Sequence, residues 1–286
     1  MKAEIEVLQP GLFSTIQDEG RHGFLKYGVP MSGPMDTDSF HLANLILNNK
    51  PGSAVLEITQ MGPVLKFLNT GYIVITGANL TPRINKIEIR NLVPYPINAG
   101  DQLSFGGRKT GCRCYLGISG GFRTQKVFGS QSWYEGITSH FHLQKGMRLE
   151  YNGGSILPSG HASVKNKAFD LINEEIEVFP GPEHDRMPQM LKMKILGNKF
   201  RIDKQNNRMA TQLEEIVPNS LTPIITGPVI PGTVQLTPSG KLIILMRDCQ
   251  TTGGYPRILQ LSEKGLNSLA QKVQGDLIFF KPGILS

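Results

Sequence analysis

Polar and charged side chains that could carry chemistry are concentrated in two stretches of this chain. The first spans residues 17–36, QDEGRHGFLKYGVPMSGPMD, and contains four glycines and two prolines. Carboxylates can accept and donate protons, and an arginine can bind a carboxylate or a phosphate through two parallel hydrogen bonds. A long loop with this composition is typical of an ordered site loop. Its candidate site residues, with Glu57 from the strand that follows, are Gln17, Asp18, Arg21, Ser32, Gly33, Asp36 and Glu57.

The second stretch is Arg247–Pro256, which follows the apolar run Leu242–Met246. Hydroxyl, amide and glycine residues at the end of a strand present many hydrogen-bonding groups to a polar ligand. A tight turn between strands is the alternative, but a two-residue turn would serve that purpose. The candidate substrate-binding residues here are Gln250, Thr251, Thr252, Gly253, Gly254 and Tyr255.

One helix and many short strands are predicted to position these residues. Residues 36–49 have helical periodicity, with Asp36 as the N-cap, so the first stretch leads into a helix N-terminus whose amides could hold an anion. Between residues 54 and 151, short apolar runs recur about every ten residues, which is typical of an antiparallel barrel or sandwich. Glu57 should face away from its apolar neighbours Leu56 and Ile58.

Three similar turns suggest two related β domains. Gly100, Gly146 and Gly275 each precede an alternating strand-like segment. The polar residues 152–168 between them are predicted to be a linker, which gives domains at 1–160 and 161–286. In the second domain, Asp185 is predicted to cap a short helix and Ser262 to cap the last one.

Composition excludes several classes of protein. The net charge of +7 is spread along 286 residues without a clustered stripe, so nucleic-acid binding is not expected. Three cysteines do not form a disulfide framework, and no signal peptide or membrane-spanning run is visible, so a cytoplasmic location is expected. His140 and His142 alternate on one segment, but no third ligand is evident, and no metal site is predicted.

Long ordered segments of the chain resemble the biotin-dependent carboxyltransferase-like family. They are FSTIQDEGRHGFLKYGVPMSGPMD, LEITQMGPVLKF, PGPEHD, VIPGTVQLTPSGK and QTTGGYPRI. The family includes the C subunit of 5-oxoprolinase, KipA and the second subunit of allophanate hydrolase. The resemblance implies two cyclophilin-like β-barrel domains.

The resemblance also implies a function. It is that of the C subunit in a complex that hydrolyses 5-oxo-L-proline to L-glutamate with ATP and Mg²⁺, alongside a KipI-like B subunit and the lactam-handling A subunit of 5-oxoprolinase. Arg21 and Arg208 would bind anionic groups. Asp18, Asp36 or Glu57 would position a metal-bound nucleotide or a proton. Gln250, Thr251, Thr252 and Tyr255 would hydrogen-bond the substrate in a cleft shared with residues 17–36.

Two other functions are compatible with the family. One is carboxyl transfer from biotin, as in urea metabolism, and the other is regulation of a histidine-kinase inhibitor, as for KipA. The chain also departs from the family pattern in three places. They are residues 129–146, where Gln131 replaces an arginine, residues 206–210, and Cys249, where an arginine is usual.

Overall fold

The computed structural model describes residues 2–153 and 173–284 and divides them into two compact units. The N-terminal unit comprises the described residues up to Arg21 and those from Ser32 to Gly153. The C-terminal unit comprises His22–Met31 and the described residues from Asn173 onward. The predicted linker, apart from Asn152 and Gly153, lies outside the described residues.

Two open antiparallel sheets form most of the N-terminal unit. The seven-stranded sheet has the order β11-β12-β1-β4-β9-β6-β7, and the five-stranded sheet has the order β2-β3-β10-β5-β8. The strands are β1 (Lys2–Gln9), β2 (Phe13–Gln17), β3 (Val55–Thr59), β4 (Val64–Phe67), β5 (Gly71–Asn79), β6 (Pro82–Ile84), β7 (Ile87–Glu88), β8 (Tyr95–Ile97), β9 (Gln102–Phe105), β10 (Thr110–Ile118), β11 (Phe122–Arg123) and β12 (Arg148–Asn152).

The core of this unit lies between the two sheets, and a helix covers the other face of the smaller one. Ile5 and Leu65 from the larger sheet pack with Ile75 and Leu116 from the smaller sheet. The helix α1 (Thr37–Ile46) packs through Phe40 and its neighbours against the opposite face of β3, β5 and β10. Alternation along these strands therefore gives one face to the core and the other to α1.

The C-terminal unit contains a closed seven-stranded barrel with the order β13-β20-β17-β18-β15-β14-β21. Its strands are β13 (Glu175–Pro180), β14 (Lys199–Asn206), β15 (Ala210–Leu213), β17 (Thr233–Leu236), β18 (Leu242–Leu245), β20 (Arg257–Leu261) and β21 (Leu277–Pro282). A separate ribbon pairs β16 (Gly227–Pro228) with β19 (Thr252–Gly253). The helices are α2 (Gln189–Gly197) and α3 (Glu263–Ala270), and single 3₁₀ turns occur at Leu25–Tyr27 and His184–Arg186.

The prediction of a mainly β chain with a few short helices is confirmed. The C-terminal unit is a closed barrel, whereas the described N-terminal unit has two open sheets, so the expectation of two cyclophilin-like barrels is met only in part. The three predicted turns are also confirmed, because Gly100, Gly146 and Gly275 have φ angles of 96°, 83° and 88° and lead into β9, β12 and β21.

Helix capping was predicted correctly in two of three places. Asp36 accepts a hydrogen bond from the Ser39 amide, and Ser262 accepts one from the Gly265 amide. Asp185, however, does not cap α2, which begins after Pro188. The carboxylate of Asp185 is fully exposed and pairs with Lys192 at 3.3 Å. Within the described ranges, no helix is long and apolar enough to cross a bilayer.

Candidate functional site

Several polar side chains are buried on the face of the five-stranded sheet that α1 covers, and Gln17, Glu57 and Tyr115 are among them. Glu57 on β3 lies between Thr15 on β2 and Tyr115 on β10 in the strand register. Gln17 occupies the end of β2 on the same face, because it is two residues beyond Thr15. Leu56 and Ile58 belong to the core between the sheets, so the predicted opposite orientation of Glu57 is confirmed.

These side chains bind the backbone that leads into α1. Gln17 Oε1 accepts a hydrogen bond from the Gly33 amide at 3.1 Å, and Glu57 Oε2 accepts one from the Met35 amide at 2.8 Å. The Tyr115 hydroxyl accepts from the Asp36 amide at 2.8 Å and donates to Glu57 at 2.9 Å. Side chains of the sheet therefore satisfy three backbone amides in the segment that precedes α1.

Burial and neighbouring negative charge both act on Tyr115. Loss of solvation is the larger cause, and the carboxylates of Glu57 and Asp36 add to it, so the pKa of Tyr115 lies well above its ordinary value. The hydroxyl consequently stays protonated and keeps donating to Glu57. Asp36 also accepts from the Ser39 hydroxyl at 2.6 Å, which completes its role as the helix cap.

Asp18 is bound by a segment that lies more than a hundred residues away in the sequence. Its carboxylate accepts hydrogen bonds from the Ser130 hydroxyl, from the Ser132 hydroxyl at 2.8 Å, from the Gln131 amide at 2.6 Å and from the Gly20 amide at 3.0 Å. The backbone amide of Asp18 also donates to Ser132 at 3.0 Å. Four donors on one carboxylate are typical of a structural anchor for two loops.

The two arginines that were predicted to bind anions have protein partners. Arg21 is fully buried and donates from Nη2 to the carbonyl of Ser132. Arg208 holds Asp248 with two parallel bonds, from Nε at 2.7 Å and from Nη2 at 3.0 Å. Each guanidinium thus contributes to the structure of its own unit, and an anion would have to compete with these partners.

The second candidate stretch differs from the first, because its polar side chains are not already hydrogen-bonded to described residues. The side chains of Gln250, Thr251, Thr252 and Tyr255 make no hydrogen bond to any described residue, and Thr252 and Tyr255 are exposed. The backbone is nevertheless held in place. The Thr251 carbonyl accepts from Val229 at 3.0 Å, and the Gly254 carbonyl accepts from the amide of Ile224 at 2.9 Å.

A buried amide lies next to this stretch. Gln235 on β17 is 2% exposed, and its Nε2 has no hydrogen-bond partner among the described residues. A Cβ atom on Gly253 would come within 2.5 Å of this nitrogen, so the glycine leaves the amide room. The donor of Gln235 is an additional candidate ligand contact, since an unpaired buried donor is unfavourable without a partner.

An ion pair fixes the base of the same stretch. Arg257 donates to Glu183 from Nε at 2.8 Å and from Nη2 at 2.7 Å, and its Nη1 donates to the carbonyl of Pro228 at 2.7 Å. The hydrogen bonds from Arg257 lower the pKa of Glu183, and the same contact raises the pKa of Arg257. The segments PGPEHD and QTTGGYPRI are therefore joined by one bidentate ion pair, which supports the ribbon of β16 and β19.

Cys249 lies just before the available side chains but is itself buried. Its side chain packs with Val229 and Leu245. Burial, assisted by the charge of Asp248, raises the pKa of the Cys249 thiol to about 12. At the position where the family resemblance suggests an arginine, this chain thus has an uncharged apolar contact.

We expect none of the three thiols to react in the folded protein. Cys112, Cys114 and Cys249 are all buried, and burial also raises the pKa of Cys114. Because the thiolate is the nucleophile, reaction with Ellman's reagent at pH 8 should be at least about 100-fold slower in buffer than in denaturant. Rapid release of one equivalent of thionitrobenzoate from folded protein would contradict this expectation.

The two alternating histidines pack against aromatic rings. His140 lies 5.7 Å from the ring of Trp133, and His142 stacks on Phe13 at 6.0 Å. A search of the described residues finds no cluster of three or more histidine, cysteine or acidic side chains that could hold a metal ion. These histidines are placed by packing on the N-terminal unit.

A family profile for the carboxyltransferase domain, subdomains A and B, matches residues 27–282. The chain belongs to this family. It is 30% identical to the 5-oxoprolinase C subunit of Escherichia coli K12 over 96% of this chain and 90% of that protein. The family resemblance predicted from the sequence is confirmed.

Two crystal structures share the fold of this family member. The structure of TTHA0988 has a TM-score of 0.86 at 26% identity, covering 98% of this chain and 55% of that chain. The Kluyveromyces lactis urea amidolyase has a TM-score of 0.87 at 28% identity, covering 98% of this chain and 18% of that chain. The chain thus spans about half of the first protein and less than a fifth of the second.

The structure brings together the predicted residues of each stretch within its own unit. The predicted cleft shared by residues 17–36 and 250–256 stays a prediction. Sequence reasoning missed Tyr115, Ser130, Ser132 and Gln235, which contact the predicted residues from distant parts of the chain. The signal for Gln235 was present, because it lies inside the quoted segment VIPGTVQLTPSGK. Ser130 and Ser132 flank Gln131 inside residues 129–146, which the family resemblance had singled out. Tyr115 carries no local signal.

Proposed function

We propose that this chain is the C subunit of an ATP-dependent 5-oxoprolinase, which hydrolyses 5-oxo-L-proline to L-glutamate. The observation that carries the proposal is the 30% identity to the 5-oxoprolinase C subunit of E. coli over nearly the whole length of both proteins. Because that relative is a subunit, we expect this chain to work in a complex. Its other members would be a KipI-like B subunit and a lactam-handling A subunit, and the complex would work in the cytoplasm.

Residues 250–255 would bind the small substrate in this complex. A lactam offers one N–H donor and one carbonyl acceptor, and its carboxylate adds further acceptors. The side chains of Gln250, Thr251, Thr252 and Tyr255 supply donors and acceptors without losing an existing hydrogen bond to a described residue. Gly253 leaves room for the buried amide of Gln235, whose unpaired donor could also bind the ligand. This stretch therefore fits substrate binding better than the buried site residues of the first stretch do.

The buried carboxylates are less suited to Mg²⁺. Asp18, Asp36 and Glu57 each accept hydrogen bonds from backbone amides or hydroxyls, which a metal ion would have to replace. The metal would assist ATP by neutralising phosphate charge, and we assign no residue of this chain to it. In the proposal, Gln17, Ser32, Gly33 and the three carboxylates shape the protein around the start of α1.

We expect Gln250→Ala to lower kcat/KM for 5-oxoproline by about 10- to 100-fold, the equivalent of one or two hydrogen bonds to the substrate. The assay is ATP-dependent release of glutamate by the complex of this chain with its KipI-like and lactam-handling partners. Gln274→Ala is the matched control, because Gln274 is exposed in the same unit and makes no side-chain hydrogen bond to a described residue. Both variants should keep the melting temperature of the wild type.

Two results would contradict this proposal in different ways. A complex that assembles with both partners but releases no glutamate from 5-oxoproline would remove the 5-oxoprolinase function and favour a regulatory role like that of KipA. A Gln250→Ala complex with wild-type kinetics would remove only the assignment of the substrate to residues 250–255.

Carboxyl transfer is the second candidate function. It is supported by the TM-score of 0.87 to the K. lactis urea amidolyase over 98% of this chain. Under this alternative, the ligand of residues 250–255 would be carboxybiotin or a urea derivative. Incubation with free carboxybiotin and labelled urea would show labelled allophanate if the alternative holds.

A further inference from the structure

A cleft of about 620 Å³ in the N-terminal unit is lined by no residue of either candidate stretch. One wall follows the C-terminal end of α1 and includes Lys50. The other wall is β11 and the segment after it, which include Arg123 and Lys126. Buried Leu47, Ala54 and Phe122 form the apolar floor. This volume falls within the range of small-molecule sites.

Every charged side chain among the described residues that line this cleft is a cation. These cations are Lys50, Arg123 and Lys126, and none of them forms an ion pair with a described residue. Two acids lie in the neighbouring segments, outside the described lining of this cleft. Glu150 on β12 is the register partner of Arg123 and lines the neighbouring cleft. Glu19 faces Gly52 and lies 3.6 Å from His41. A cleft with charges of one sign and an apolar floor concentrates its field on an incoming counter-ion.

The frame around the cations is rigid. Asn49 Oδ1 accepts from the Gly120 amide at 2.7 Å, and Asn152 Nδ2 donates to the Gly120 carbonyl at 2.7 Å. Gln131, which also lines the cleft, donates to the carbonyl of Phe122 at 3.1 Å. A preformed frame lowers the entropy that is lost on binding.

We propose that this cleft binds the phosphate chain of a small molecule. Three cations on two walls match an anion with several charges, whereas a single carboxylate could be bound by one of them. A second cleft, of about 450 Å³, shares Arg123 and Thr124 with the first. Its lining includes the aromatic rings of Trp133 and His140 and the charged side chains of Arg148 and Glu150. Its aromatic lining offers a place for a base. The source of the phosphate chain is therefore either inorganic pyrophosphate or a nucleotide.

The test is binding of pyrophosphate and of ATP to the purified full chain, measured by calorimetry at about 0.15 M salt. Wild-type protein should bind pyrophosphate, and the double variant Lys50→Gln with Lys126→Gln should bind it at least about tenfold more weakly. The control is Lys145→Gln with Lys194→Gln. It removes the same charge at two exposed lysines that lie outside the cleft and form no ion pair with a described residue.

The outcomes separate the two sources and the contrary result. If ATP binds more tightly than pyrophosphate, and His140→Ala weakens the binding of ATP, the ligand is a nucleotide. If the two bind equally, the ligand is pyrophosphate. Absence of binding at about 10 mM ligand, or equal losses in the cleft and control variants, overturns the proposal. Circular dichroism checks that both double variants are folded. Because the chain is tested alone, failure here leaves the 5-oxoprolinase proposal standing, and an inactive complex does not remove this cleft.

Discussion

Replacement of Asp18 by alanine is expected to lower the free energy of unfolding by about 3–5 kcal/mol, since each buried donor left without an acceptor costs about 1–3 kcal/mol. The substitution leaves four donors without their acceptor, namely the hydroxyls of Ser130 and Ser132 and the amides of Gly20 and Gln131. Both serines are completely buried, so water cannot replace the carboxylate without opening the structure. Urea denaturation of the purified chain, followed by circular dichroism, measures the change.

Glu135→Ala is the control for this prediction, because Glu135 is an exposed acid a few residues beyond the same segment. It should change the free energy of unfolding by no more than about 0.5 kcal/mol. Asp18→Asn should be intermediate, since the amide keeps one acceptor oxygen but places a donor against other donors. A stability of Asp18→Ala equal to that of the control would show that the network is not formed in solution.

The variants Asp18→Ala and Asp18→Asn also distinguish a structural role of Asp18 from a catalytic one. If Asp18 only anchors the segment at residues 130–132, activity of the complex should follow the fraction of folded protein. A folded Asp18→Asn chain with normal stability and no activity would restore the catalytic role that the family resemblance suggested. The structure favours the anchor, because the carboxylate accepts three hydrogen bonds at Oδ1 and one at Oδ2.

Local signals in the sequence were sufficient for most of the secondary structure. Alternation of apolar residues identified strands such as β5 and β10, whose side chains alternate between the core and the face covered by α1. The caps at Asp36 and Ser262 depend on side chains within three residues of the amides they bind. The turns at Gly100 and Gly146 require only a glycine with positive φ. Each of these features is decided over a few residues.

The site contacts could not be predicted in the same way, because they join distant segments. Asp18 and Ser132 are 114 residues apart, and Glu57 and Tyr115 are 58 residues apart. A charged residue near a glycine-rich loop gives the same local pattern whether it binds a substrate or a buried serine. Barrel closure is also non-local, because it depends on which strands become neighbours at the sheet edges.

The helix α2 was predicted correctly, but its N-terminal boundary at Asp185 was wrong. An acid directly before a helical pattern is a reasonable N-cap, and the sequence pattern placed the start of the helix at Asp185. Pro188 intervenes, and its fixed φ lets the helix begin directly after it. The carboxylate of Asp185 is then left in solvent beside Lys192.

The ion pair between Glu183 and Arg257 leads to the second large effect. We expect Arg257→Met to lower the free energy of unfolding by about 3–5 kcal/mol, because it leaves the carboxylate of Glu183 largely buried without its partner. The side chains of Glu183 and Arg257 are 8% and 15% exposed. The loss of the bond to Pro228 should also loosen the ribbon of β16 and β19. Lys281→Met, which removes an exposed ion pair in the same unit, is the control and should cost less than about 1 kcal/mol.

The pH dependence of stability provides an independent check of this ion pair. Arg257 lowers the pKa of Glu183 in the folded chain below the value near 4.3 of an unfolded glutamate. The resulting stabilisation is fully present above about pH 4.3 and is lost as the pH falls through the lowered pKa of the folded state. In Arg257→Met the carboxylate is buried without a cation, so its pKa should rise and protonation at acid pH should relieve part of the damage. The difference in stability between wild type and variant should therefore shrink from pH 7 to pH 4.

The double variant Glu183→Gln with Arg257→Met should be more stable at pH 7 than Arg257→Met alone, and equal stability of these two proteins would show that an unpaired charge is not the cause.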